Sequence, residues 1–327
     1  MIWFHTNYSI RTFLLKQVHI HRSLTNSAEN SPMAESNNQI VRPFLKWAGG
    51  KKQLRRPIIN AIRQTGFNRY YEPFVGGGAI LFALQSKNCP VINDLNKQLI
   101  ITYETIKNHV DELIEELQIH KMKNCKEYYY EMREMDRQSD FEDKLKNDPV
   151  AIASRLIYLN KTCYNGLYRV NSYGFFNTPY GRYENPTIYD EEVLRAINNY
   201  FVKSKIVIRN GNFDKATKGI KKGDFIYFDP PYDSPNCTNF TGYQANKFDR
   251  EQQEKLRDLA IKLTDKGVKC LLSNADTEYI RELFNDRDIF EISTVKAKRM
   301  IGSNADTRRA VNEVLIKNYG LDRNEDW

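Results

Sequence analysis

Four consecutive residues, Asp229-Pro230-Pro231-Tyr232, carry the most specific chemistry in the sequence. They follow Phe225-Ile226-Tyr227-Phe228, an apolar and aromatic run that reads as a buried strand. Two prolines remove backbone donors and restrict the residue before them, so the acid is held rigidly at a strand's end. A fixed carboxylate and a backbone carbonyl can accept both hydrogens of an amino group conjugated with a purine ring. That localises the nitrogen lone pair toward a methyl donor, and Tyr232 offers a face for the ring to stack on. Positioning and electrostatic preorganisation then carry the rate, without a covalent intermediate.

A second constellation lies upstream. Glu72-Pro73-Phe74-Val75-Gly76-Gly77-Gly78 joins a short aromatic strand to a helix through glycines, which lets backbone approach a ligand at the edge of a sheet. About twenty residues on, Asp94 ends the next strand and is placed to bond a ribose diol. This is the logic of an adenosine-containing cofactor. The dinucleotide fingerprint fails, because Leu81 stands where its third glycine belongs. Lys46-Trp47-Ala48-Gly49-Gly50-Lys51 resembles a phosphate loop, but Leu45 replaces its first glycine and Lys52 its Ser/Thr. What remains is a basic aromatic loop suited to an adenine ring and a carboxylate.

These motifs need a scaffold. Helical spacing runs from Leu54 to Gln64, a strand over Tyr70–Val75, a helix from Ala79, and a strand over Val91–Asp94. Helices are predicted over Lys97–Leu117, Lys126–Arg137 and after Pro149. Strands follow at Lys205–Arg209 and Phe225–Phe228, then a helix at Arg250–Asp265, a strand at Val268–Ser273, a helix at Thr277–Phe284 and a last strand near Asn312–Lys317. Strand and helix alternate on both sides of a polar insert, which predicts an α/β fold with a doubly wound, mostly parallel, Rossmann-like sheet. The insert, Thr162 to Pro186, is dense in Tyr, Asn, Gly and Arg, and Ser172-Tyr173-Gly174 marks a hairpin. Residues 40–110 and 190–320 are expected to form the catalytic domain, and 111–189 a mainly helical recognition insert. Residues 1–39 read as a disordered or non-essential extension, with Met33 placed as an ordinary translation start.

Composition fits a polyanionic partner. The 327 residues carry a net charge of +8, and basic side chains gain affinity by displacing counterions from phosphates. Twenty tyrosines supply rings that stack on bases. Mean hydropathy is −0.64, and no apolar run reaches membrane-spanning length. Five scattered cysteines form no C-x-x-C pair, which points to a reducing, cytoplasmic setting with neither disulfides nor a zinc site. No histidine lies near the motifs, so neither a histidine base nor a metal is expected.

The chain resembles the Dam-like DNA adenine-N6 methyltransferases, most closely the DpnII/MboI type that modify GATC. The resemblance rests on FLKWAGGK (Phe44–Lys51), YEPFVGGGAI (Tyr71–Ile80), NDLN (Asn93–Asn96), YNGLYRVNS (Tyr164–Ser172), NTPYGRY (Asn177–Tyr183) and YFDPPY (Tyr227–Tyr232). It implies S-adenosyl-L-methionine as cofactor, held by Trp47, Lys51, Asp94 and Asp229, with Ala48, Gly49, Glu72, Pro73, Phe74, Gly76 and Gly78 beside them. It implies that Asp229 and Tyr232 serve a flipped target base. Lys46 and the hairpin would read DNA: Arg169 a guanine, Tyr164 and Asn165 entering the duplex, and Pro179 and Arg182 touching a base and the backbone. Leu167 and Asn171 fall in the same set. The expected partner is double-stranded DNA containing GATC, bound by a monomer. Pairing with a restriction endonuclease stands beside an orphan or phage role, because Asp233–Phe248 looks more like enteric and phage Dam. A cytosine-N4 enzyme typically carries Ser where Asp229 stands, and a cytosine-C5 enzyme needs a Pro-Cys pair absent here. A non-catalytic nucleic-acid-binding protein would leave the tetrad without a purpose.

Overall fold

A computed structural model describes residues 40–49, 51, 54–233, 248–298 and 310–320. The N-terminal extension and most of the divergent Asp233–Phe248 segment lie outside the described residues. The strands are β1 (Tyr70–Glu72), β2 (Val91–Asp94), β3 (Val207–Asn210), β4 (Phe225–Phe228), β5 (Lys269–Ala275), β6 (Glu291–Lys298) and β7 (Ala310–Lys317). They form one sheet in the order β3-β2-β1-β4-β5-β7-β6. Every pairing from β3 across to β5 is parallel, and β7 runs antiparallel to both of its neighbours.

Side-chain alternation along the central strands decides what each face buries. Tyr70, Phe225, Tyr227, Leu271 and Leu315 pack under α1 (Arg55–Arg63) and α2 (Ala79–Leu84). Tyr71, Ile226, Phe228, Leu272 and Ile316 face α9 (Arg250–Asp265) and α10 (Glu278–Leu283). The fold is therefore doubly wound, as its pattern predicts. The remaining helices are α3 (Lys97–Asn108), α4 (Val110–Lys123), α5 (Lys126–Glu134), α6 (Phe141–Asn147), α7 (Pro149–Thr162) and α8 (Glu191–Ser204). Residues of α3, α4, α7 and α8 share one apolar core with Ile92 of β2 and the start of the glycine turn. No helix among the described residues is long and apolar enough to cross a membrane.

Helix starts follow side-chain chemistry. Asn96, Asp148, Asp190, Asp249 and Thr277 each accept a hydrogen bond from a first-turn backbone N–H of the helix they precede. The predicted helix over Lys97–Leu117 is two helices, parted at His109, whose φ −142° and ψ 43° are not helical. The break is stabilised from outside: Asn198 of α8 donates to the carbonyls of Ile106 and Lys107. Elements not predicted from sequence appear, among them β6 and α8. The β6 strand is an edge with exposed Glu291, Ser293 and Thr294, so its alternation carries few apolar residues.

Candidate active site

The strand order reverses between β1 and β4, and in open α/β sheets ligands bind outside the carboxyl ends of strands at such a point. Register pairs Tyr70 with Phe225 and Tyr71 with Ile226. The glycine turn that leaves β1 and the tetrad that leaves β4 are thus nearest neighbours, although far apart in sequence.

Among the described residues, the bonds to Asp229 fall on one oxygen. Lys51 Nζ lies 2.8 Å from Oδ1, and Ser273 Oγ donates to the same atom at 3.0 Å. Ser273 is in turn bonded to the buried Tyr227 hydroxyl at 2.8 Å. Burial raises the Asp229 pKa, while Lys51 and Ser273 oppose the rise and Glu313 adds to it. Pro231 is pinned as well. Gln253 Nε2 donates to the Pro231 carbonyl at 3.0 Å, and Asn274 Nδ2 donates to Gln253 Oε1. Tyr232 donates its hydroxyl to Glu313 on β7 at 2.7 Å, and Lys51 Nζ sits 4.1 Å from its ring centroid. Burial, then Asp229 and Glu313, push that phenol well above its usual range, so it stays a neutral donor.

On the other side of the switch point, Asp94 bridges two backbone donors. Gly76 N–H reaches Oδ2 at 3.0 Å and Asn96 N–H reaches Oδ1 at 2.9 Å. A carboxylate oxygen has more than one acceptor position, so both can still receive ribose hydroxyls. Gly76 and Gly78 adopt φ +48° and +73°, the left-handed region that favours glycine. A Cβ at Gly77 would lie 2.8 Å from Trp47 Cβ, so the turn and the half-buried Trp47 are packed on each other. Ala48 and Gly49 are exposed beside it. Phe74 stacks on Phe213, and the Pro73 carbonyl accepts from Asn93 Nδ2. Glu72 lies beneath the turn, 2% exposed, taking a hydrogen bond from Tyr70 at 2.8 Å. Burial raises its pKa to about 8, with Tyr70 lowering it and Asp229 raising it further.

The donor set suits an adenosine carrying an amino-acid tail: a diol acceptor in Asp94, an aromatic wall in Trp47, and a cation in Lys51 for a carboxylate. The sequence-predicted DNA residues lie on exposed surface. Lys46, Tyr164, Asn165, Leu167, Arg169, Pro179 and Arg182 are exposed, and Asn171 is half-buried. The predicted hairpin is present: Val170 bridges Phe176, and Asn171 Oδ1 receives the N–H groups of Tyr173 and Phe175. Arg169 Nε donates to Asn177 Oδ1 at 2.8 Å across it. Arg137 and Asp136 clamp the Phe176 backbone from below, at its carbonyl and its N–H. The hairpin meets the loop that carries Lys46 and Trp47 where Tyr168 stacks on Trp47 at 5.0 Å.

Sequence reading passed over Ser273, Gln253, Asn274 and Glu313. Ser273-Asn274 was the detectable pair, a polar step at the end of the apolar strand β5, which lies alongside β4. Gln253 and Glu313 left no local signal.

A Rossmann-like sheet with one antiparallel strand, an acid-Pro-Pro-aromatic exit and a glycine turn at its switch point defines the class of an α/β methyltransferase. The family model for D12 class N6 adenine-specific DNA methyltransferases matches residues 47–301. The chain belongs to that family, and it is an adenine-specific DNA methyltransferase. It is 41% identical over 289 residues to the type II methyltransferase M1.LlaDCHI of Lactococcus lactis subsp. cremoris, covering 88% of this chain and 99% of that one. The type II methyltransferase M.MjaIII of Methanocaldococcus jannaschii is 40% identical over 298 residues, covering 85% and 99%. The DNA adenine methylase of Escherichia coli K12 is 34% identical over 282 residues, covering 84% and 94%.

Proposed function

We propose that the enzyme methylates the N6 amino group of a flipped adenine in double-stranded GATC, with S-adenosyl-L-methionine as donor. The observation that carries this reading is the one-sided hold on Asp229. Lys51 and Ser273 both occupy Oδ1, which leaves Oδ2 to accept one amino hydrogen. Gln253 occupies the Pro231 carbonyl, which leaves that of Pro230 for the other hydrogen. When bound, the cofactor supplies an electrophilic methyl group. The chain's own residues then draw the nitrogen lone pair out of conjugation, hold the base against Tyr232 and exclude water. Asp94, Trp47 and Lys51 hold the cofactor, with Ala48, Gly49, Glu72, Pro73, Phe74, Gly76 and Gly78 shaping its turn.

Residues 111–189 act as the recognition insert on the catalytic body of 40–110 and 190–320. An adenine in duplex DNA must leave the stack to reach Asp229, at a cost of a few kcal/mol. Exposed Tyr164, Asn165 and Leu167 supply the wedge, and Lys46, Asn171, Pro179 and Arg182 the flanking contacts. With its Nε held by Asn177, the Arg169 guanidinium keeps its outer nitrogens for a guanine edge.

Labelled methyl transfer to matched duplexes with and without GATC tests the reading. Label on the first alone is expected, and equal labelling of both removes the GATC claim. Asp229→Ala should abolish transfer in a folded protein; retained activity sinks the role of that carboxylate. Arg169→Ala should cost about 1–3 kcal/mol of discrimination at the guanine. An unchanged preference would reassign Arg169 to a phosphate.

A further inference from the structure

Asn160 sits in the last turn of α7, is fully buried, and belongs to neither the cofactor set nor the DNA set. Its side chain makes three hydrogen bonds. Oδ1 accepts from Lys46 N–H at 2.9 Å; Nδ2 donates to the Lys46 carbonyl at 2.8 Å and to the Gly166 carbonyl at 3.1 Å. Both amide hydrogens are used. A single side chain therefore takes both backbone groups of Lys46 as a neighbouring strand would, and ties them to the turn Tyr164–Gly166.

The surroundings tighten that junction. A Cβ at Gly166 would lie 2.4 Å from Lys46 Cδ, so the lysine stem runs directly across the turn. Asn165, at φ +57°, donates its N–H to the Tyr183 hydroxyl at 3.0 Å, and Lys46 Nζ is 6.0 Å from the Tyr183 ring. One residue beyond Lys46, Trp47 stacks on Tyr168. The cofactor loop and the base-reading turn thus form one body through an amide that touches neither ligand.

We infer that Asn160 is a positioning residue that fixes the Lys46–Lys51 loop against the Tyr164–Arg169 turn, so that cofactor grip and base discrimination depend on one contact. The inference rests on the proposed assignment of those two segments to cofactor and DNA. Asn160→Ala removes all three bonds and takes from Lys46 and Gly166 the side chain that pairs their backbone groups. Asn160→Asp keeps the volume, and even when protonated it has one donor for two carbonyls. A general loss of helix stability is controlled by Ile152→Ala, in the same helix but in a separate cluster with Ile101 and Phe141.

The test uses the full chain. Calorimetry measures S-adenosylhomocysteine affinity, rates on GATC and single-base-altered duplexes measure discrimination, and thermal melting measures stability. Both Asn160 variants are expected to weaken S-adenosylhomocysteine binding and to erode discrimination, each by about tenfold, the scale of one lost hydrogen bond. Ile152→Ala should lower the melting temperature and leave both ratios within about twofold of wild type. If the Asn160 variants lower only the melting temperature, Asn160 is structural and the inference is overturned. If Asn160→Ala does not fold, Asn160→Asp decides by the same two ratios. A wild-type protein that neither binds S-adenosylhomocysteine nor prefers GATC would sink the assignment itself, a result distinct from variants that behave like a competent wild type.

Discussion

The asymmetry at Asp229 sets what single substitutions should do. Ser273 donates to the same oxygen as Lys51 and passes the buried Tyr227 hydroxyl into the network. A hydrogen bond to a charged group is worth about 1.5–3 kcal/mol, so Ser273→Ala should slow turnover about 10- to 100-fold without changing DNA affinity. A fall in DNA affinity with turnover intact would mean that Ser273 serves binding. Lys51→Gln has a different signature. The half-buried carboxylate loses the cation that opposes its upward shift, so it ionises at higher pH. The acid limb of the rate profile, which needs ionised Asp229, should move upward. An unmoved limb would show that Asp229 does not control it.

At the scale of elements, the glycine turn, Asp94 and the tetrad were legible because each lies at the exit of a strand. β2 and β4 match their predicted bounds, and Asp94 and Asp229 stand at their ends. Less legible was whatever another element decides. The helix break at His109 depends on Asn198, which reaches Ile106 and Lys107 from 92 and 91 residues on. β6 needs its partner β7 to be recognised as a strand, since Glu291, Ser293 and Thr294 face solvent. Gln253 and Glu313 reach the tetrad from α9 and β7, and no local pattern marks them. The glycine turn allows a sharper prediction. At φ +73°, Gly78 would place a Cβ 2.6 Å from Phe82 Cε2 and 2.9 Å from the Tyr103 hydroxyl. Left-handed backbone costs a side chain about 1–2 kcal/mol, and overpacking about 1–3 more. Gly78→Ala should therefore lower the unfolding midpoint in denaturant by a clear margin. Gly174→Ala, which meets nothing within 4 Å, should cost only the backbone part. Equal losses would mean that the turn relaxes.

The whole molecule carries two buried titratable groups that pull its stability in opposite directions with pH. Glu72, under the glycine turn, is shifted by burial from an ordinary 4.5 to about 8. It is protonated in both states below 4.5, so its contribution is fully present there. Above that pH the unfolded chain releases the proton while the fold retains it, and stability is lost until the folded carboxyl ionises near 8. His120, on α4 against Tyr128 of α5 and Ser154 of α7, is shifted by burial from 6.5 to about 3. Its contribution is present above 6.5 and is lost as pH falls through about 3, because the unfolded chain takes up the proton first. Glu72→Gln should thus raise the melting temperature at pH 8 and leave it near wild type at pH 4. His120→Gln, which carries no titrating group, should flatten the acid slope between 6.5 and 3. One group belongs to the sheet and the other to the helical layer, yet α4, α7 and Ile92 of β2 share a single core. Both substitutions should then move the same cooperative transition, and the double variant should be additive within about 0.5 kcal/mol. Two transitions, each answering to one substitution, would show that the helical layer melts apart from the sheet despite that common core.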